Sequence, residues 1–144
     1  MRYFDSTLLP YPCEQVFDMV ADIERYPEFL PGWTHARILD RNNNRLHAEQ
    51  QLQTGPAVFR FHSTALLEPC VAIHISSGDG PFRDMHIDWG FNPLTGDQCR
   101  VTIEMTLAMK PGLANGALRL LLEAGSSELL PLFGRRARAL YSLA

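Results

Sequence analysis

Residues 84–109 read DMHIDWGFNPLTGDQCRVTIEMTLAM. Apolar and polar side chains alternate along both halves of this stretch, a period of two. Met85, Ile87, Trp89 and Phe91 fall on one face of the first half, with His86, Asp88 and Gly90 opposite. Cys99, Val101, Ile103, Met105, Leu107 and Met109 share a face of the second, opposed by Arg100, Thr102, Glu104 and Thr106. Between them NPLTGD, residues 92–97, carries the proline, glycine and aspartate of a chain reversal. Strands that bury one face and wet the other belong in an antiparallel sheet.

The same period extends upstream. Strands are expected at 34–41, 45–54, 57–68 and 71–77, besides 84–92 and 98–109, with an initial strand at 2–9. NNN at 42–44, GP at 55–56, EP at 68–69 and GDGP at 78–81 separate them. After the initial strand the spacing changes. Pro12 suits the first turn of a helix, and Cys13, Val16, Phe17, Val20 and Ile23 then form an apolar stripe. Asp22 is placed to cap a further short turn, and Tyr26 before Pro27 is expected to be extended. Beyond Pro111 the helical spacing returns in Leu113, Ala117, Leu120, Leu121, Ala124, Leu129, Leu132, Phe133, Leu140 and Tyr141. Gly125 and Pro131 interrupt it, and a kink or break is expected near 126–131. The order of elements predicts an α+β helix-grip: seven antiparallel strands curved around a long C-terminal helix, with two short helices between the first and second strands.

Composition sets outer bounds. The chain has 144 residues, which suits a single domain over 1–144 with a substantial core. A net charge of −3 argues against a nucleic-acid binder, whose affinity comes largely from neutralising phosphates. Cys13, Cys70 and Cys99 form no CxxC pair, and an odd count is a poor disulfide framework. The opening Arg2, Tyr3, Phe4, Asp5 leads into no apolar segment of a signal peptide. A cytoplasmic setting is the expectation.

Three blocks carry a family resemblance. EQVFDMVADIERYPEFLPGW (14–33), GPFRDMHIDWGF (80–91) followed by Cys99 and Val101, and RRARALY (135–141) resemble the coenzyme Q-binding branch of the START-like, polyketide cyclase-type superfamily. Its bacterial members are often labelled ribosome-association toxin or oligoketide cyclase. The resemblance spans essentially the whole chain. Gly32-Trp33 stands where the family often shows Trp-Cys, and Pro131 is unusual within the long helix. What the resemblance implies is an apolar tunnel between sheet and helix. A polyisoprenoid quinone such as ubiquinone would bind there without catalysis, supporting respiratory electron transport, with transient contact at the inner-membrane surface and no required cofactor. Two alternatives stay open: a ribosome-associated regulator that blocks subunit joining, and a polyketide cyclase or aromatase.

Strand parity points Phe59, Phe61, Met85, Ile87, Trp89, Phe91, Val101, Ile103 and Met105 at the long helix, together with Leu52. That face is either a solid core or, as the resemblance implies, the lining of a cavity completed by Leu121 and Phe133. RYPEFLPGW, residues 25–33, is too apolar for an ordinary surface loop. Tyr26, Pro27, Phe29, Leu30, Pro31 and Trp33 are expected at the portal, with a plug that completes the core as the alternative for Phe29 and Leu30. The five histidines, at 35, 47, 62, 74 and 86, fall on predicted strands. His47, His62, His74 and His86 oppose apolar neighbours and are expected to face water, and no HExxH, CxxC or HxH spacing supports a metal site. Cys13 and Cys99 read as small core residues, and Asp22 and Glu24 as capping or solvated carboxylates. Arg135, Arg136 and Arg138 suit either the negative end of the last helix or an RNA or anionic-lipid contact.

Overall fold

All seven period-two segments are strands in the computed structural model, which describes residues 1–112, 116, 122 and 125–142. They are β1 (Arg2–Leu9), β2 (Trp33–Asn42), β3 (Arg45–Thr54), β4 (Ala57–Glu68), β5 (Ala72–Ser77), β6 (Phe82–Leu94) and β7 (Gln98–Met109). They form one antiparallel sheet in the order β1-β7-β6-β5-β4-β3-β2. Consecutive strands pair from β2 to β7 because short turns join them. β1 instead crosses to the far edge and pairs with β7, with Leu9 opposite Cys99. The register puts like with like: Ile87 faces Met105, Trp89 faces Ile103 and Phe91 faces Val101. Every one of these side chains points to the inner face, so a slip of one residue would expose the whole set.

The connection from β1 to β2 lies over that face. Helix α1 (Cys13–Ala21) starts directly after Pro12. Its Val16 and Val20 are buried, and Phe17 meets Phe91 edge-on at 5.4 Å. A 3-10 helix (Ile23–Glu28) follows. This corrects the expectation that Tyr26 is extended: residues 23–28 are helical with Pro27 inside. Proline disfavours, but does not forbid, a helical residue before it. Here burial of Ile23 and Tyr26 outweighs that preference. Glu24 has a structural task, accepting the Ile38 N–H at 2.9 Å and so tying the 3-10 helix to β2.

Helix α2 (Leu129–Tyr141) lies across the inner face and buries Leu130, Phe133 and Ala137. Full burial of an apolar side chain the size of Leu or Phe stabilises by roughly 1.5–3 kcal/mol. The break expected near 126–131 is present. Gly125 and Ser126 are helical, Ser127 and Glu128 turn, and α2 begins again at Leu129. Pro131 thereby falls in the first turn of α2, where its missing N–H has no intrahelical partner to lose. Leu113, Ala117, Leu120, Leu121 and Ala124 lie outside the described residues.

The cysteine reading is also corrected. Cys13 and Cys99 are buried in the core as expected, but they form a disulfide joining α1 to β7, while Cys70 is free. An odd count hid the pair, because two positions 86 residues apart are brought together only by the crossing of α1 over the sheet. Among the described residues, no helix is long and apolar enough to cross a membrane.

Candidate functional site

Packing of α2 and the 125–126 segment against the inner face leaves a cavity of about 320 Å³. From the sheet, Leu52, Ile75, Phe82, Met85, Ile87 and Trp89 line it, with Ile103, Met105 and Leu107 of β7. Leu122, Gly125, Leu129, Leu132 and Phe133 line it from the helical side. Tyr26, Leu30, Pro31 and Trp33 close it at one end. The lining side chains with polar groups among the described residues are Tyr26, Trp33, Gln50, Trp89, Ser126 and Glu128. A site of this size is at the low end of the roughly 300–1,000 Å³ usual for small-molecule pockets.

Most of the expected lining residues meet here. Met85, Ile87, Trp89, Ile103, Met105 and Phe133 border the cavity. Four others share the inner face, as parity predicts, but do not border the cavity. Phe61 is buried edge-on against Phe82 at 5.0 Å, and Phe91 is shared between Phe17 and Trp89. Val101 is buried beside them, and Phe59 packs partly exposed against the core. Parity assigns a face but not what a side chain meets there: Phe61 and Phe59 pair with the cavity-lining Gln50 and Leu52, yet do not border the cavity themselves. Leu121 lies outside the described residues.

The RYPEFLPGW stretch divides in the same way. Leu30, Pro31 and Trp33 border the cavity, Pro31 exposed and Trp33 half-buried, so the mouth lies between them and Glu128 and Leu129. Gly32 between them has φ +87°, a conformation that glycine adopts without strain, and its carbonyl accepts the Gln53 N–H at 2.8 Å. Pro27 and Phe29 do not line the cavity, and Phe29 anchors the loop instead. Phe29 meets Phe133 edge-on at 5.0 Å, and the Arg136 guanidinium lies 5.1 Å from the Phe29 ring centre. Arg136 also bonds Glu28 at 3.0 Å. Tyr26 is buried, its hydroxyl donates to the Val20 carbonyl, and burial raises its pKa, with the nearby Asp22 carboxylate adding to the effect. It is therefore a neutral, committed anchor.

Gln50 was missed because a glutamine in a polar-looking β3 reads as surface. Parity alone held the signal: Gln50 alternates in phase with Leu46, Ala48 and Leu52. Its carboxamide oxygen accepts the Trp33 indole N–H at 2.9 Å, and its nitrogen donates to Ser63 Oγ at 3.1 Å.

The outer face carries the histidines. His62 lies between Asp79 at 2.8 Å and Glu49 at 3.3 Å, and His74 between Asp88 at 2.7 Å and Glu68 at 2.8 Å. These carboxylates raise both imidazole pKa values. His86 pairs with Asp84, His35 lies 3.7 Å from Glu49, and His47 stacks on His62. Among the described residues, no group of three or more His, Cys, Asp or Glu side chains is arranged to hold a metal ion.

The family described as polyketide cyclase / dehydrase and lipid transport matches residues 9–130. A ribosome association toxin, RatA, of Pseudomonas aeruginosa is 32% identical over 136 residues, covering 94% of each chain. A mitochondrial coenzyme Q-binding protein, COQ10 homolog B, of Xenopus laevis is 26% identical over 112 residues, covering 76% of this chain and 46% of that one. Among solved structures, the Zhui aromatase/cyclase of a Streptomyces species superposes with a TM-score of 0.82 at 15% identity, covering 97% of this chain and 95% of that one. That likeness is one of fold.

Proposed function

The chain belongs to the polyketide cyclase / dehydrase and lipid transport family, and from that premise we propose that it binds an isoprenoid-tailed quinone in the cavity between sheet and α2. The observation that carries this reading is the cavity itself, apolar on nearly every side and walled by two methionines that adapt to an irregular guest. The coenzyme Q-binding relative supports the choice of quinone.

Magnitudes shape the proposal. Burying a methylene is worth roughly 0.8 kcal/mol, so one isoprene unit supplies at best about 3–4 kcal/mol. Association costs an estimated 4–15 kcal/mol. More than one unit must therefore be enclosed, yet 320 Å³ has no room for a long tail. The ring and first units would sit inside while the remainder leaves past Pro31 and Trp33 into a membrane surface. Binding is proposed to be non-catalytic. Tyr26 is committed to a backbone carbonyl, and Glu128 lies exposed at the mouth.

Trp33 and Trp89 both line the cavity and report on occupancy. Titrating a short-tailed quinone should quench their fluorescence saturably, and solvent extraction of protein purified from its own host should yield quinone. Unchanged fluorescence together with quinone-free extracts would sink the reading.

A second reading rests on the toxin-named relative and on Arg135 and Arg138, which are exposed on α2. In it the chain associates with the ribosome. Arg136 is not free for such contact, since it holds Glu28 and Phe29. Co-sedimentation with large subunits that is lost in Arg135→Glu/Arg138→Glu, with quinone binding unchanged, would favour this reading.

A further inference from the structure

Apart from Tyr26, whose hydroxyl is committed to the Val20 carbonyl, and the indole of Trp89, the buried polar side chains among the described residues are Gln50, Ser63, Ser77 and Ser126. Of these, Gln50 and Ser126 reach the cavity. The Ser126 hydroxyl is used, donating to the Leu122 carbonyl at 2.6 Å. Gln50 is different. Because the indole of Trp33 can only donate, the carboxamide oxygen must face it, which turns the nitrogen toward Ser63. A carboxamide nitrogen has two hydrogens and its oxygen two lone pairs. The contacts to Trp33 and Ser63 use one of each, so an N–H and a lone pair remain on a side chain that is only 5% exposed and borders an apolar cavity.

We propose that Gln50 selects the head group: the second Nε2–H donates to a neutral carbonyl or ether oxygen of an apolar, tail-bearing molecule. This rests on the reading of the cavity as a ligand site and adds which end of the ligand is recognised, and by what. A neutral donor suits a neutral acceptor, because an ionised head buried here would need a compensating charge. Among the described residues, the one charged side chain lining the cavity is Glu128, at the mouth, and it is of the wrong sign for an anionic head. Trp33, fixed by the same carboxamide, orients the mouth relative to the head-group position.

Calorimetric titration of the full chain tests this with three probes: a ubiquinone bearing two isoprene units, a terpene hydrocarbon of the same tail length, and a fatty acid of similar length. Gln50→Leu should weaken the quinone about three- to tenfold, the worth of one hydrogen bond, and leave the hydrocarbon within about twofold. Gln50→Met keeps the length of the side chain but has no N–H to donate, so it should weaken the quinone in the same way. Near-ultraviolet circular dichroism of Trp33 checks that the site stays folded. Equal weakening of quinone and hydrocarbon in both variants, or no change in either, overturns the proposal. So does a fatty acid that binds wild type more tightly than the quinone. Wild type that binds hydrocarbon and quinone equally defeats the head-group assignment alone. Wild type that binds neither defeats the cavity reading as well.

Discussion

His62 and Asp79 hold the β5–β6 turn against β4. The Asp79 carboxylate accepts the His62 backbone N–H at 2.7 Å and meets the ring nitrogen at 2.8 Å. Gly80 in the same turn lies so close to β4 that a Cβ would stand 2.3 Å from the Arg60 carbonyl oxygen. The hydrogen bond to Asp79 raises the His62 pKa. For Asp79, partial burial pushes the carboxyl up, but its bonds to the His62 backbone and ring and to Ser77 outweigh that and hold it low. The raised histidine contributes stability that is complete below about pH 6.5 and fades as pH rises through its folded value. The lowered aspartate contributes stability present above about pH 3.9 and lost as pH falls through its folded value. Both contributions are in full force between those limits, and both are modest because the two side chains are 39% and 47% exposed. In Asp79→Asn the His62 imidazole should titrate at lower pH, read by NMR, and the loss of stability above pH 6.5 should flatten.

At the scale of elements, the RYPEFLPGW segment is two devices in series. Residues 26–29 form a clamp on α2 through Tyr26, Phe29 and Phe133, whose rings meet edge-on at 5.0–6.0 Å. Residues 30–33 form the mouth. The clamp predicts that Phe29→Ala costs about 2 kcal/mol in denaturant unfolding, less than a fully buried phenylalanine because Phe29 is half-buried. Binding to vesicles should be unchanged by it. Arg136→Lys keeps the charge but loses the planar fork over the ring. It should speed amide exchange in residues 26–30 while the β6–β7 hairpin stays protected. Both the clamp and the mouth are apolar, so composition marked the segment as unusual without separating them. Which residue faces α2 and which faces the cavity depends on the 3-10 helix that positions Tyr26, and the local Tyr-Pro preference points the other way.

For the whole molecule, the Cys13–Cys99 disulfide fastens the β1–α1 crossing to β7, the strand beside the β1 edge. It closes a long loop, and such a link typically stabilises by about 2–4 kcal/mol. A non-reducing peptide map should contain the linked Cys13 and Cys99 peptides with Cys70 as a free thiol. Cys13→Ala/Cys99→Ala should lower unfolding free energy by about that amount while leaving the sheet intact.

The sequence by itself determined the seven strands, their inner and outer faces, α1, and the interruption of the C-terminal helix before Leu129. Each of these is a local quantity: a period of two or of 3.6, a turn, a proline. Only the tertiary structure decided the disulfide, the burial of Gln50, and which inward residues border empty space. Phe61 and Phe82 share a face, yet Phe82 lines the cavity and Phe61 does not. That difference belongs to the packing of one element against another, which no residue's neighbours in sequence encode.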